Sequence, residues 1–133
     1  MSQKSTKRLE MERQLELVSG DKPWKQSDIA LQSRVRYSRE LANICEEEGD
    51  HKAVYSYLLD ATNYCSELAS RHPTERWQSI EAELQYFLAT IAYKERSNMH
   101  DWTRRTSEHV ARAKKLDPSR FKDLNIDDFS PGR

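Results

Sequence analysis

Apolar side chains recur along this chain at spacings of three and four residues, with polar residues between them, the pattern of amphipathic helices. Met11, Leu15 and Val18 predict a short helix over Arg8–Val18 that Gly20 stops, preceded by a polar, frayed start at residues 1–7. Pro23 disfavours helix at the residue before it, so Asp21–Trp24 reads as a break, with Trp24 expected to anchor this connection on the body. Ser27 suits the N-cap of a helix running to about Glu48, whose stripe is Leu31, Val35, Leu41, Ala42 and Cys45, widened by Tyr37 and Ile44. Gly49-Asp50 interrupts the pattern, and it resumes over His51–Arg71 with Val54, Leu58, Ala61, Cys65 and Leu68, flanked by Tyr57 and Tyr64.

His72-Pro73-Thr74 is the next stop, with Thr74 placed to cap a helix over Glu75–Arg96. That helix carries Trp77, Ile80, Leu84, Phe87, Leu88 and Ile91 on one stripe. After the polar connection Ser97–His100, a less apolar helix over Asp101–Leu116 has Trp102, His109, Val110, Ala113 and Leu116, and Asp117-Pro118 closes it. Phe121, Leu124, Ile126 and Phe129 punctuate a polar tail that either folds back into a groove, the first expectation because a chain gains by covering such residues, or docks on another protein. The expected fold is all-α: two long antiparallel helical hairpins preceded by a short N-terminal helix. The expected divisions are 1–26 for the tail and first helix, 27–118 for the hairpins and 119–133 for the C-terminal tail.

Composition narrows this picture. Three Gly and four Pro are too few for the tight turns of an all-β fold. Lys plus Arg equals Asp plus Glu at 22 each, so no net field draws the chain to nucleic acid or to an anionic surface. No apolar run approaches the roughly 20 residues that span a bilayer, and the first residues carry no signal-peptide stretch. Cys45 and Cys65 lie on apolar faces, where a free thiol acts as a small hydrophobe, and a reducing cytoplasmic setting fits.

The stretch Leu41-Ala42, Cys45, Gly49-Asp50 and Ala53-x3-Tyr57, with Leu88-Ala89 and Val110–Pro118 further on, resembles a tetratricopeptide repeat over Ser38–Pro118. That family pairs a Leu-small couple on one helix with an Ala and an aromatic on the next. A closed four-helix bundle is the alternative packing of the same stripes. The resemblance implies a protein-binding module. Some members clamp a peptide carboxylate with a basic residue and an Asn one turn apart, and Arg39 and Asn43 hold that spacing, with Thr90 at the matching place in the second half.

The remaining chemistry is sparse. Glu48-x2-His51 has the carboxylate–His spacing of di-iron bundles but straddles Gly49 and has no second copy, so no metal site and no cofactor is expected. Read as a DNA-binding helix-turn-helix, the Gly49 turn is flanked by Glu46, Glu47, Glu48 and Asp50, which repel phosphates. Arg105, His109 and Arg112 share one helical face as a candidate anion or acidic-peptide site, against the plainer reading of a solvated face. Arg104–Ser107 matches a basophilic kinase pattern. No nucleophile motif or Gly-rich phosphate loop occurs, so no enzyme is proposed. The expected function is a non-enzymatic protein-interaction module or adaptor whose partner is another protein or peptide, or a second copy in a homodimer. Arg39, Asn43, Tyr57, Tyr64, Arg105, His109 and Arg112 are its candidate contact residues. The alternatives are a helix-turn-helix nucleic-acid-binding protein and a self-assembling structural bundle.

Overall fold

A computed structural model describes residues 4–18, 22–73 and 75–125, with the side chains of Val18 and Glu75 left out. The elements over these residues are helical. The chain divides into two compact units, Met1–Pro73 and Thr74–Arg133, each holding one of the expected hairpins.

In the first unit, α1 (Thr6–Val18) precedes a single 3-10 turn at Pro23–Lys25, then α2 (Asp28–Glu47) and α3 (His51–Arg71). Ser27 caps α2, its hydroxyl accepting the Ala30 amide, as the sequence suggests. Asp50 caps α3 by accepting the Ala53 amide. Between them Gly49 adopts φ +77°, the left-handed conformation that lets the chain reverse within two residues. Helices α2 and α3 pack on one another. Leu31, Leu41, Cys45, Ala61, Cys65 and Leu68 are fully buried there, and burying each leucine is worth about 2 kcal/mol over leaving it in water. Ser38 is also fully buried.

Helix α1 lies against α2. It begins two residues before the expected start, and its approach is not frayed over residues 4–7. The Ser5 hydroxyl accepts the Arg8 amide and the Ser5 amide donates to Glu48. Gly20, expected to stop this helix, lies outside the described residues, as does Thr74 at the head of the next unit.

The second unit pairs α4 (Glu75–Lys94) with α5 (Trp102–Leu116) through a 3-10 turn at Arg96–Asn98. Ala82, Leu84, Leu88, Ala89, Ala92 and Ala113 are fully buried. Asp117 ends α5, and Pro118 opens a one-turn helix, α6 (Pro118–Phe121), at its first position, where a missing amide costs nothing. The tail turns back here as expected: Phe121 is buried against Ala82 and Ala113, stacks on Tyr86 at 5.6 Å, and Leu124 joins the cluster. Ile126 and Phe129 lie outside the described residues.

A Cβ on Gly49 would meet nothing within 4 Å, so the cost of Gly49→Ala is backbone strain alone. Thermal unfolding should register about 1 kcal/mol of lost stability for Gly49→Ala, and less for Gly49→Asn, whose short polar side chain tolerates this conformation.

Candidate functional site

The C-terminal end of α3 closes on the N-terminal end of α2 through one arginine. Arg71 donates to Asp28 at 2.9 Å, to Glu67 at 3.0 Å, and to the carbonyls of Pro23 and Trp24 at 3.2 Å each. Asp28 takes His72 Nε2 on its other oxygen at 2.6 Å. The His72 and Arg71 contacts hold the Asp28 carboxyl below the usual carboxylate range. An acidic residue in the first turn of α2 also meets the positive end of the helix dipole.

This clamp fixes the backbone under Trp24 and leaves the indole outside. Trp24 is 62 % exposed, with the Lys22 ammonium 5.2 Å from its ring, so the expectation that its ring packs on the body is corrected. The anchoring is done by its carbonyl. Ile29, just past the Ser27 cap, is 78 % exposed. A bulky aromatic and a branched aliphatic thus stand in solvent on a pinned backbone.

A second polar set gathers at the Gly49 turn. Arg8 on α1 is almost wholly buried and donates to Glu48 at 2.9 Å, to Asp50 at 3.1 Å and to Glu12 at 3.3 Å. Burial works against its charge, but the hydrogen bonds to Glu48 and Asp50 prevail and raise its pKa above the ordinary value. Tyr57 on α3 donates to Glu12 at 3.0 Å, and burial followed by that bond pushes its phenol up. Glu48, the carboxylate of the candidate metal pair, is therefore taken by Arg8 and Ser5, while His51 sits 3.8 Å from Glu46. Among the described residues no group of three or more His, Cys, Asp or Glu could hold a metal.

The candidate contact residues are dispersed. Arg39 is half-buried and Asn43 exposed, one turn apart on α2. Tyr57 faces Glu12 of α1, and Tyr64 lies under the buried Arg34 guanidinium at 4.9 Å. Burial raises the carboxyl of Asp60 beside that pair, against the pull of Arg34. Thr90, the counterpart of Asn43, turns its hydroxyl back to the Tyr86 carbonyl.

In the second unit Arg112 is exposed and Arg105 half-buried, but His109 is only 5 % exposed, and the solvated three-residue face is corrected there. The spacing is right; the middle residue points to α4. Its Nδ1 donates to Gln85 Oε1 at 2.7 Å. Burial, helped by the nearby Arg112, drives its pKa down to about 4, so the ring is neutral. In the kinase pattern, Arg104 pairs with Asp101 and Glu108, Thr106 is fully buried and Ser107 is exposed.

Sequence reasoning missed Arg8, Arg34 and Gln85, all buried polar residues that interrupt an apolar stripe. The acidic Glu46–Asp50 run was the available signal, since a turn so charged needs a nearby cation. No helix among the described residues is long and apolar enough to cross a membrane. Comparison with known proteins adds no relative: no family model, no curated protein and no solved structure matches this chain.

Arg8→Met should loosen α1 from the turn by stranding Glu48 and Asp50 side by side. The loss is about 2–3 kcal/mol, below that of a fully buried pair because Asp50 and Glu12 keep some solvent. Amide exchange in α1 should accelerate well before that in α2. For His109 the unfolded chain binds a proton near pH 6.5 that the folded one refuses until about 4. Stability of the α4–α5 unit should therefore fall by about 3 kcal/mol as pH drops through that window and level off below it. Denaturant unfolding across pH should show this slope in the wild type and lose it in His109→Gln.

Proposed function

We propose that this chain is a non-enzymatic protein-interaction module. The observation that carries the reading is Trp24, a large aromatic exposed on a backbone that Arg71 pins from the end of α3. Interface energy concentrates in such residues, because a rigid aromatic loses little freedom on docking and buries a large area. Lys22 and Lys25 flank it and Ile29 follows, so the matching partner surface is an apolar pocket with carboxylates at its rim. Tetratricopeptide-like packing within each hairpin belongs to the same reading, supported by buried Leu41-Ala42 and Leu88-Ala89 couples. A cytoplasmic setting fits two buried cysteines held as thiols, the Cys45 thiol being pushed up to about 11 by burial.

Affinity capture from native extract, compared between wild type and Trp24→Ala, tests this. A discrete partner should bind the wild type at least thirtyfold more tightly, the loss of about 2 kcal/mol or more expected for a central aromatic. Circular dichroism should be the same for both, since the ring packs on nothing it would unfold. Equal capture by the two proteins would overturn the role of this corner.

A further inference from the structure

The run Arg104-Arg105-Thr106-Ser107 lies in the first two turns of α5, and none of the roles assigned above uses it. Two guanidinium groups precede a hydroxyl by three residues and by two. A kinase whose substrate groove carries carboxylates reads that spacing, because the carboxylates fork onto the guanidinium groups while the hydroxyl reaches the nucleotide.

The pattern offers two hydroxyls, and the structure separates them. Thr106 is fully buried with its hydroxyl lacking a hydrogen-bond partner, whereas Ser107 is exposed. Ser107 shares an open depression of about 500 Å³ with Arg104, His100 and Asp101. To enter a kinase groove the start of α5 must open, and that start is weakly held. Asp101 at the N-cap makes no side-chain bond to the helix. Arg104 ties Asp101 to Glu108 at 3.2 Å each, but all three side chains are half exposed or more, and such pairs contribute little. The unpartnered Thr106 hydroxyl costs the folded state further. Trp102, edge-on to Tyr93 at 5.5 Å, acts the other way. The buried residues His109, Val110 and Ala113 lie beyond Ser107, so the first turns can open while the rest of α5 stays packed.

We propose that Ser107 is the acceptor of an arginine-directed serine kinase, and that Arg104 and His100 then hold its phosphate in the depression. In the transfer, the Ser107 Oγ bonds to the γ-phosphorus of kinase-bound ATP as the bond to ADP breaks, and the hydroxyl proton passes to the kinase's base. The phosphate brings about two negative charges and three acceptor oxygens. Arg104, three residues back on the same side of the helix, meets it with two parallel N–H donors, a stronger pairing than either carboxylate gives it now. Five cationic side chains stand against one carboxylate over Arg104–Lys115, and the phosphate removes about half of that excess. The most basic stretch of the second unit thereby becomes a weaker site for any anion. This goes beyond the interaction-module reading and does not rest on it, since Trp24 belongs to the other unit.

Incubation of the full chain with ATP and a purified arginine-directed serine/threonine kinase tests this. Intact-mass spectrometry should show one phosphate added to the 15.7 kDa chain, and fragmentation should place it on Ser107. Ser107→Ala should abolish the gain and Thr106→Val should keep it. Replacing Arg104 and Arg105 together by Gln should slow it by at least about tenfold, with circular dichroism unchanged. Phosphorus NMR should give the folded phosphoprotein a lower second phosphate pKa than a phosphorylated peptide of residues 101–111, because Arg104 and His100 favour the dianion. A wild type left unmodified while that peptide is fully phosphorylated, or a phosphate that survives Ser107→Ala, would overturn the site. Equal phosphate pKa values in protein and peptide would overturn its capture by Arg104 and His100.

Discussion

The buried guanidinium of Arg8 is the interaction on which the first unit depends. An isolated helix the length of α1 is marginal in water, and its apolar contribution to the unit is thin, with Met11 and Leu15 only half-buried. What fixes it is a set of long-range polar bonds: Ser5 and Arg8 to Glu48, Arg8 to Asp50, and Tyr57 to Glu12. The dependence runs both ways. Glu48 and Asp50 flank Gly49 at the turn, and without a cation between them their repulsion would act on it. Asp50 serves both needs at once, one oxygen capping α3 and the other holding Arg8. Desolvating an arginine is costly, and a guanidinium shared among three carboxylates is one of the few arrangements that offsets it.

Where local chemistry decides the structure, the sequence was legible. Ser27, Gly49-Asp50 and Asp117-Pro118 each act within a few residues of themselves: α2 starts after Ser27 and ends before Gly49, α3 starts after Asp50, and α5 ends before Asp117. The stripes Leu31–Cys45 and Val54–Leu68 likewise fall on buried faces, because a period of 3.6 is a local property. The candidate site was less legible. Trp24 was placed by its size, yet size says only that a ring gains by burial and nothing about which surface would bury it. His109 was grouped with arginines by spacing, but spacing does not say which way a shared face turns. Gln85, 24 residues earlier, settles that by giving its ring nitrogen a partner. Arg8 was hidden for the same reason, since its partners are 40 and 42 residues away.

The two polar clusters of the first unit differ in how they meet solvent, and that difference bears on function. Arg8 is withdrawn from water, so added salt screens its ion pairs poorly. The Arg71–Asp28–His72 clamp is more open, with His72 and Asp28 nearly half exposed. Its rigidity comes less from charge than from two carbonyls that Arg71 also holds, contacts that screening weakens little. A residue carried on such a support, as Trp24 is, loses little freedom when it docks.

An amphipathic helix normally turns its leucines inward and its charges out, because that order lowers the free energy of the isolated fold. Helix α1 leaves Leu9 and Leu17 outward beside Glu10, Arg13 and Glu16, forgoing about 1–2 kcal/mol of burial for each leucine. A chain that folds alone gains nothing from this order. It becomes favourable once the outward face is covered, and the charges that alternate with the leucines limit which surfaces can cover it. A partner helix with basic residues only would meet Arg13, and one with acidic residues only would meet Glu10 and Glu16.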